Sequence, residues 1–530
     1  MMAFLDDTLG AHAVVQPEKP AFIFKDKTLS FAELHDHSDA LAAQLRALGL
    51  ERGARIGVFF YRSLEVPVAV FGSLKAATTF VPLDPHAPTE RLAHIVNSTD
   101  MSAIITSDVL ATKAEEIIQK SGVDCLVLGP TEAADTCKKT ISWSELVAGS
   151  QRYVTPDRVD TDLAYIIFTS GSTGEPKGIM HSHRTALGYL DTLLERIDIG
   201  RDDVMCALSP LIFDMSLNEY FGGPVCGASV VIAADGQVKL PASLGPLFEK
   251  HGVSIYCSVP SLLVSFLERG SPENADLSAI RWVLTGGEPL AAKHLRSALD
   301  AMPNAQYGNL YGPTETNSCS VEVITRENSD NISSIPIGRM GRNSRALIID
   351  ENDVSVPVGE TGELCVQAAS VMMGYWGKTE SKDIVFLERY GPGGVKETYY
   401  RTGDQVRINE SGTLYYLGRT DRLVKIRGYR VELDEVEAAL NAQDDVAEAA
   451  AISFCTADNT LTIGAAVLLS PGSETCADDL HRAMSDVLPS YARPSLIEIL
   501  PELPRTASQK ISRRGLEEIF QNHQGFNNAQ

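Results

Sequence analysis

The chain has 530 residues, of which 44% are hydrophobic and 22% are charged, and this composition is typical of a globular protein with several domain-sized units. Its formal net charge of −23 at pH 7 argues against general binding to nucleic acid or to an anionic membrane surface. No long apolar run occurs, which disfavours a transmembrane helix. None of the nine cysteines forms a Cys-x-x-Cys pair, and their pattern disfavours a disulfide framework. Because the first residues also lack the features of a secretory signal, we expect a cytoplasmic protein.

The pattern along the chain predicts an α/β protein whose C-terminal part differs from the rest. Ser30 and Glu33 have the spacing of a capping box at the start of a helix. Strand-like and helix-like apolar runs alternate from residue 55 to about residue 330, which predicts a layered α/β fold with largely parallel sheets. Short strand candidates with Gly-rich turns, between 335 and 420, predict a small β-barrel module. Strand and helix signals in 421–530 indicate a separate α+β domain.

Residues 163–178 carry the chemical pattern around which the rest of the sequence can be interpreted. An apolar run from Leu163 to Phe168 predicts a buried strand. Hydroxyls, glycines and a cation follow immediately: Thr169, Ser170, Gly171, Ser172, Thr173, Gly174 and Lys177. Glycines allow successive N–H groups to point at one anion, and hydroxyls and an ammonium complete a phosphate site. The spacing differs from that of the P-loop, and the alternative interpretation is an ordinary polar hairpin loop.

The two histidines that follow this loop invite a metal-site interpretation. His181 and His183 lie close together, but no third ligand with suitable spacing accompanies them. We therefore predict that they are residues at the start of a helix.

The loop resembles the phosphate loop of the adenylate-forming enzymes over its full length. Further segments match that superfamily in its order and at its spacing, at 29–34, 74–76, 81–84, 213–216, 309–315, 362–364, 400–404, 418–428, 488–491 and 509–510. The resemblance covers nearly the whole chain and is greatest to the adenylation domains of nonribosomal peptide synthetases and their free-standing relatives. It implies a large N-terminal domain, residues 1–420, and a small mobile C-terminal lid domain, residues 421–530, with the hinge at Asp421.

The resemblance implies an ATP site, and several of its residues suit that role chemically. Tyr311 precedes a Gly-Pro turn, where its ring can stack on adenine, although a core tyrosine is the alternative. Glu315 ends that turn and can hold Mg²⁺ shared with the phosphates of ATP, whereas a solvated surface acid is the alternative. Asp404 and Arg419 can bind the ribose, although a surface ion pair is the alternative for these two. The other residues that the resemblance assigns to the nucleotide or to catalysis are Gly287, Glu288, Asn309, Gly312 and Thr314.

Lys510 stands in a basic stretch near the C-terminus, where a solvated charge is the simple interpretation. The resemblance implies instead the mobile lysine that bridges the substrate carboxylate and the α-phosphate. The reaction needs such a cation because a carboxylate attacks an anionic phosphorus while pyrophosphate leaves. The usual Asn-Gly-Lys is here Ala-Ser-Gln-Lys, residues 507–510, which keeps the lysine.

The resemblance also implies the lining of a pocket for the acid substrate: Asp214, Asn218, Cys257, Leu284, Gly286, Leu310, Ser318, Cys319 and Lys510. Asp214 is the informative member, because relatives that activate amino acids hold an Asp there that pairs with the α-ammonium. A buried carboxylate without a cation is costly, so its presence favours an ammonium-bearing ligand. The alternative for Asp214 is a helix N-cap. The mixture of polar and apolar lining residues does not name the amino acid.

Together these patterns predict a two-step ligase of nonribosomal peptide synthesis or related secondary metabolism. ATP and an amino acid give aminoacyl-AMP and pyrophosphate, and the phosphopantetheine thiol of a carrier protein then takes the acyl group. The alternatives are an acyl- or aryl-CoA synthetase or a D-alanine–carrier-protein-type ligase, whose turn is similar to residues 285–289, and a non-catalytic nucleotide-binding scaffold. No condensation or carrier motif occurs, so we expect either a free-standing monomeric ligase or a domain of a larger synthetase, without nucleic-acid or membrane partners.

Overall fold

The structure of this chain is a computed structural model. It describes residues 2–131, 141–149, 153–171, 175–330, 332–377, 385–419, 422–456, 460–505 and 511–527. The chain divides into two compact units, of which the first comprises Met1–Pro85, Val96–Ile167 and Gly178–Thr420 and the second comprises His86–Ile95, Phe168–Lys177 and Asp421–Gln530. Two short segments of the N-terminal part therefore belong to the second unit. The division into domains at residue 420 stays a prediction.

The helices follow one another along the described chain with these bounds. They are α1 Leu9–Val15, α2 Phe31–Ala47, α3 Glu65–Lys75, α4 Thr89–Ser98, α5 Ala111–Ser121, α6 Trp143–Leu146, α7 His183–Leu194, α8 Gly223–Val225, α9 Asp235–Lys239, α10 Leu244–His251, α11 Pro260–Arg269, α12 Ala292–Ala301, α13 Arg326–Ser329, α14 Leu433–Asn441, α15 Ala477–Val487 and α16 Arg513–Asn527. A π-helical turn covers Asn218–Gly222, and short 3₁₀ turns cover Asp108–Leu110, Pro241–Ser243, Pro272–Asn274, Pro392–Gly394 and Ser490–Ala492.

The strands have these bounds. They are β1 Pro20–Phe24, β2 Lys27–Ser30, β3 Arg55–Phe59, β4 Thr79–Pro82, β5 Ala103–Thr106, β6 Leu126–Leu128, β7 Leu163–Thr169, β8 Lys177–Ser182, β9 Val204–Ala207, β10 Ser229–Ile232, β11 Ile255–Ser258, β12 Trp282–Gly286, β13 Gln306–Tyr311, β14 Ser320–Ile324, β15 Arg339–Met340, β16 Ser344–Ile349, β17 Thr361–Ala368, β18 Gly374–Tyr375, β19 Phe386–Tyr390, β20 Lys396–Ile408, β21 Leu414–Arg419, β22 Leu423–Ile426, β23 Tyr429–Glu432, β24 Val446–Cys455, β25 Leu461–Leu469 and β26 Leu496–Ile499.

Two large sheets, both largely parallel, form the layered part of the fold. One has the order β18-β8-β7-β4-β3-β5-β6, with parallel pairing from β7 to β6. The other has the order β15-β14-β13-β12-β11-β9-β10-β1-β2, with antiparallel strands only towards its edges. Inner strands such as β5 and β11 are buried along their whole length, as expected where helices cover both faces of a parallel sheet. The predicted α/β layering up to about residue 330 is therefore confirmed.

The next part of the chain changes to antiparallel pairing. Strands β16, β17, β20 and β19 form a sheet in that order, and β21 also pairs with β20. Alternate residues of these strands point into a separate core cluster that includes Ile348, Leu364 and Val406. The change to short antiparallel strands agrees with the sequence pattern, and closure of this sheet into a barrel stays a prediction.

The C-terminal part of the second unit has its own sheet and helices, which confirms the predicted α+β character. Strands β24, β25 and β26 form one sheet, and β22 pairs with β23. Helix α14 packs on β24 and α15 packs on β26. The core between them includes Val436, Ala465 and Met484.

Short-range signals decide where two of the helices begin. The predicted capping box is present, because Ser30 Oγ accepts the Glu33 N–H (3.2 Å) and the Glu33 carboxylate accepts the Ser30 N–H (2.8 Å). Ser182 caps α7, whose first residue is His183, as predicted, whereas His181 lies in β8. Within the described ranges, no helix combines the length and the apolar character that crossing a membrane requires.

Candidate active site

The carboxyl ends of three neighbouring parallel strands meet at one edge of the larger sheet. In β11, β12 and β13 the register places Cys257 beside Leu284 and Gly286 beside Leu310. All four residues are buried. Ligands of α/β folds bind at this edge because the loops that leave the strands supply polar groups there. The structure thus brings together four of the residues that the resemblance assigns to the acid pocket.

Close backbone packing determines the path of the chain after β12. A Cβ atom on Gly286 would lie 2.7 Å from the Leu310 carbonyl oxygen, so a larger residue would push β13 away. Gly287 follows with a φ of 93°, in the left-handed region that glycine adopts without strain. The Glu288 carboxylate then accepts the N–H of Ser261 at 3.1 Å, in the first turn of α11. The contributions of Gly287 and Glu288 to nucleotide binding stay predictions.

Asn218 and Asp214 lie beside two buried tyrosines. Asn218 opens the π-helical turn, a rare geometry that is often found at functional sites, and its Oδ1 accepts a hydrogen bond from the Tyr189 hydroxyl in α7. Asp214 lies in the turn before it. Burial, with a smaller contribution from the Asp214 charge, raises the pKa of both Tyr165 and Tyr189. The predicted ammonium partner is therefore close to two neutral phenols.

The backbone that leaves β9 is held from both sides by buried side chains. Glu219 accepts the N–H groups of Leu208 (3.1 Å) and Ser209 (3.0 Å). Arg62 donates to the carbonyls of Ala207 (3.1 Å) and Leu208 (2.5 Å). Burial raises the pKa of Glu219 to about 8, so this carboxyl group is mostly protonated at neutral pH. The arrangement holds the segment that leads into the acid pocket.

Asp404, Arg419 and Tyr311 form a second polar cluster. Asp404 and Arg419 are paired across antiparallel β20 and β21, and Arg419 Nη1 lies 2.5 Å from Asp404 Oδ1. The Tyr311 hydroxyl donates to Asp404 Oδ2 at 2.5 Å. Asp404 is only 5% exposed. The ion pair is therefore buried, whereas the alternative considered from the sequence was a surface ion pair. The half-buried Tyr311 is hydrogen-bonded to this pair. The structure brings together the three residues assigned to the adenosine.

Three other assigned residues lie in β13 or between β13 and β14. Asn309 Nδ2 donates to the Pro336 carbonyl at 2.8 Å, so it holds the neighbouring backbone. Cys319 is fully buried in the core of the antiparallel module, and its N–H donates to the Tyr311 carbonyl at 2.8 Å. Ser318 lies within hydrogen-bonding reach of the Tyr189 hydroxyl. Their roles towards a ligand stay predictions.

The turn that carries Thr314 and Glu315 is tightly constrained. A Cβ atom on Gly312 would lie 1.6 Å from the Asn317 carbonyl oxygen, so only glycine fits there. His181 Nε2 lies 2.9 Å from the Thr314 carbonyl, which can only accept, so the ring proton is on Nε2. Burial lowers the pKa of His181 to about 4, and the ring is therefore neutral at physiological pH. His181 thus holds the turn and does not act as a metal ligand.

Glu315 was predicted to bind Mg²⁺. Its carboxylate is 1% exposed and Oε1 accepts the Tyr375 hydroxyl at 2.7 Å. In the part of the chain that the structure describes, no three His, Cys, Asp or Glu side chains are placed together to hold a metal ion. Mg²⁺ is commonly held by one or two carboxylates together with phosphates and water. One buried, oriented carboxylate fits that mode of binding, and the role stays a prediction.

The described part of the phosphate segment lies in the second unit. β7 ends at Thr169 and β8 begins at Lys177, so the loop joins neighbouring strands as predicted. The Ser170 hydroxyl donates to the Arg430 carbonyl (2.8 Å) and accepts the Glu432 N–H (3.1 Å). Ser170 is therefore bound to the backbone of β23. If Ser170 binds phosphate as predicted, at least one of these two hydrogen bonds must break so that the hydroxyl can bond to the phosphate instead.

A close backbone approach also explains Gly171. A Cβ atom there would lie 2.1 Å from the Glu175 carbonyl oxygen, so the loop needs glycine at this position. Five predicted site residues lie outside the described residues: Ser172, Thr173, Gly174, Asp421 and Lys510.

Sequence reasoning missed the side chains that orient the assigned ones, namely Tyr189, His181, Arg62, Glu219 and Tyr375. A weak signal existed for one of them. Thr185 and Tyr189 are four residues apart on α7 and therefore share one face, and a tyrosine on a buried helix face needs a partner for its hydroxyl. The local pattern did not identify that partner.

Comparison with known proteins decides the family. Residues 9–376 match the sequence model described as AMP-binding enzyme, and residues 435–510 match that of the AMP-binding enzyme C-terminal domain. The chain belongs to the AMP-binding enzyme family. The two matched regions include the ends of β11, β12 and β13, the whole of residues 163–178 and most of the α+β region of this AMP-binding enzyme.

Relatives of this AMP-binding enzyme cover nearly its whole length. The L-proline--[L-prolyl-carrier protein] ligase of Pseudomonas fluorescens is 31% identical over 500 residues, which are 94% of this chain and 96% of the ligase. Tyrocidine synthase 3 of Brevibacillus parabrevis is 32% identical over 513 residues, which are 97% of this chain but 8% of the synthase. The AMP-binding enzyme thus spans a small part of that much longer relative. The crystal structure of IdnL1 is 27% identical, with a TM-score of 0.78, and covers 95% of this chain and 99% of that chain.

Proposed function

We propose that this AMP-binding enzyme activates an amino acid with ATP and transfers the aminoacyl group to the phosphopantetheine thiol of a carrier protein in the cytoplasm. The observation that carries the proposal is the position of Asp214, which lies in the turn before Asn218 and close enough to the buried Tyr165 and Tyr189 to raise the pKa of both. Asp214 is half-buried, and a carboxylate beside neutral phenols is complementary to the α-ammonium of an amino acid. The similarity to a carrier-protein ligase over 96% of that ligase supports the same assignment.

In the first step, the amino acid carboxylate attacks the α-phosphorus of ATP and pyrophosphate leaves. We assign the adenosine to the cluster of Tyr311, Asp404 and Arg419, with the Tyr311 ring against the base and the Asp404 carboxylate on the ribose. Glu315 would hold Mg²⁺, which neutralises charge on the phosphates when bound. Thr314 belongs to the same turn. Lys510 would bridge the substrate carboxylate and the α-phosphate, and lies outside the described residues.

The phosphates are assigned to the loop that joins β7 to β8. Its described members are Thr169, Ser170, Gly171 and Lys177, and they offer hydroxyls, backbone N–H groups and an ammonium to the anion. In the second step, the carrier thiol replaces AMP. In the first step Lys510 needs space beside the phosphates that the phosphopantetheine arm needs in the second step. The proposal therefore includes a rotation of the C-terminal domain about Asp421 between the two steps.

The first test is pyrophosphate exchange across a panel of amino acids and of acyl and aryl acids. Wild type should exchange with one or a few amino acids, and Asp214→Asn, which keeps the shape but removes the charge, should lower kcat/KM for them by at least 100-fold. The matched control is Asp300→Asn, since Asp300 is 74% exposed in a surface pair with Arg326 and should leave exchange unchanged. Exchange with unaminated acids alone, or an unaffected Asp214→Asn, would overturn the amino-acid assignment.

The second test separates the two half-reactions. Lys510→Ala should abolish pyrophosphate exchange while sparing thioester formation from supplied aminoacyl-AMP, because the lysine charge is needed only while pyrophosphate leaves. A holo carrier protein and coenzyme A are compared as acceptors. Loading of coenzyme A in preference to the carrier would overturn the assigned acceptor, and equal loss in both half-reactions would remove Lys510 from catalysis.

A further inference from the structure

Asn218, which the resemblance assigns to the acid pocket, carries a buried hydrogen-bond donor that has no oxygen or nitrogen acceptor among the described residues. Asn218 is 0% exposed, and its Oδ1 is occupied by the Tyr189 hydroxyl. Throughout the described chain, no oxygen or nitrogen atom accepts a hydrogen bond from Nδ2 of Asn218, and the group within its reach is the weakly accepting Cys257 sulfur. An amide nitrogen that has lost water without gaining a partner destabilises the free protein. Such a group is satisfied if a ligand brings the missing acceptor.

The hydrogen-bond chain determines which end of the amide is left over. A phenol carries one proton and an amide carbonyl only accepts, so Tyr189 donates to Asn218 Oδ1. Ser318 is within reach of the Tyr189 oxygen and can donate its own proton there. In this orientation the amide oxygen is occupied by the Tyr189 hydroxyl, and Nδ2 is the end left for another acceptor.

The Cys257 side chain lies next to Nδ2 of Asn218. Burial raises the pKa of the Cys257 thiol well above its ordinary value, so the sulfur stays protonated and is a weak acceptor. Leu284, beside Cys257 in the register, and Leu310 on the next strand offer apolar walls. Around Nδ2 of Asn218, the described residues Cys257, Leu284 and Leu310 thus give an apolar surrounding, which contrasts with the acidic Asp214.

We propose, resting on the proposed function, that the activated amino acid bears an acceptor oxygen on its side chain and that Asn218 Nδ2 donates to it. The substrate class is an amino acid with a side-chain carboxamide or hydroxyl group. Tyr189 is the positioning residue that orients the Asn218 amide and does not itself contact the substrate oxygen. Apolar amino acids of the same size leave the donor unpaired and are rejected.

The experiment measures pyrophosphate exchange with pairs of amino acids that match in size and differ in a side-chain acceptor: Gln and Met, Asn and Leu, Thr and Val. The preferred substrate should carry the acceptor and should exceed its apolar counterpart at least tenfold in kcat/KM. Equal or better exchange by the apolar member of every pair would overturn the inference while leaving amino-acid activation intact. Exchange with unaminated acids alone would instead overturn the proposed function, and this inference with it.

Variants locate the origin of that preference. Asn218→Leu should reduce the preference to threefold or less, and Tyr189→Phe should raise KM for the acceptor-bearing substrate about tenfold with little change in kcat. The matched control is Tyr256→Phe, which removes another buried hydroxyl, bonded to Ser258 at 2.6 Å and packed in the other core cluster of the sheet. Tyr256→Phe should leave the preference unchanged.

A variant that fails to fold does not end the test. Asn218→Ala removes the donor without adding a larger apolar group, so it should reduce the preference as Asn218→Leu does. An unchanged preference in Asn218→Leu or Asn218→Ala would overturn the role of Asn218. An equal effect of Tyr189→Phe and Tyr256→Phe would overturn the positioning role of Tyr189.

Discussion

Two buried carboxyl groups of this AMP-binding enzyme lie in contrasting surroundings. Glu219, beside the acid pocket, is bound by backbone N–H groups, and burial raises its pKa to about 8. Asp404, in the antiparallel module, is bound by the Arg419 guanidinium at 2.5 Å and by the Tyr311 hydroxyl. Burial penalises a charge in both places. At Glu219 the nearby Arg62 and the backbone N–H groups offset only part of that penalty, whereas Asp404 has a guanidinium in direct contact.

The contrast separates a neutral region from a charged one. In and beside the acid pocket, the Glu219 carboxyl group, the phenols of Tyr165 and Tyr189 and the Cys257 thiol are neutral. The adenosine cluster is instead a complete ion pair. The first region therefore suits discrimination by single hydrogen bonds, whereas the second is a rigid support whose members cannot be removed singly without leaving a buried charge.

The largest expected effect comes from breaking the charged pair. Asp404→Ala leaves Arg419 buried without its carboxylate and should lower the free energy of unfolding by about 3–5 kcal/mol. Glu388→Ala in the same sheet is the control, since Glu388 and Lys396 are both more than half exposed and their pair should contribute less than about 1 kcal/mol. Urea unfolding measures both. Equal losses in the two variants would show that the Asp404 pair behaves as a surface pair.

The next effect tests the neutral carboxyl group through pH. The pKa of Glu219 is raised above its unfolded value, so the native state holds one more proton than the unfolded state between about pH 4.5 and pH 8. This stabilisation is complete below about pH 4.5 and is lost as pH rises through about 8, at about 1.4 kcal/mol per pH unit. The free energy of unfolding should therefore fall by about 2 kcal/mol between pH 6.5 and pH 8.

Glu219→Gln isolates that contribution, because a glutamine keeps the hydrogen-bonding shape and does not titrate. The fall in stability above pH 6.5 should be absent in this variant. Buried His181 and His183, each with a pKa lowered to about 4, do not interfere, since they destabilise the native state only as pH falls below about 6.5. The same slope in wild type and variant would show that Glu219 is ionised in the native state.

A smaller effect distinguishes the hydroxyl from the ring in the adenosine cluster. Tyr311→Phe removes one donor to Asp404 but leaves the Arg419 pair, so unfolding should become easier by about 1.5 kcal/mol. The ring is retained, so KM for ATP should change less than about threefold, whereas Tyr311→Ala should raise it more than about tenfold. An equal rise in both variants would assign the nucleotide interaction to the hydroxyl.

The smallest effect concerns a third buried carboxylate, Glu315. Tyr375→Phe removes the hydroxyl that orients it and should raise the Mg²⁺ concentration for half-maximal exchange about tenfold, with little change in stability. The control is Tyr399→Phe, whose hydroxyl bonds to Glu397 in the antiparallel module. A magnesium titration that is identical in wild type and Tyr375→Phe would remove Glu315 from the metal site.

The sequence by itself determined the features that depend on neighbours along the chain. The capping box of Ser30 and Glu33 needs only a spacing of three residues, and the parallel layers follow from alternating apolar runs. The phosphate-binding role predicted for residues 163–178 rests on contiguous glycines and hydroxyls, and it stays a prediction. Asp404 and Arg419 were assigned to one ribose by resemblance, and their placement opposite each other on adjacent strands agrees with that assignment.

Only the tertiary structure decided the contacts that orient these groups. Tyr189 and Asn218 are 29 residues apart, and His181 and Thr314 are 133 residues apart. Such pairs depend on the register of strands and on which helix face is buried, and many sequences with the same apolar pattern would pair other side chains. The protonation state of Glu219 depends on its burial and on the backbone N–H groups of Leu208 and Ser209. Neither is determined by the residues next to Glu219 in the sequence.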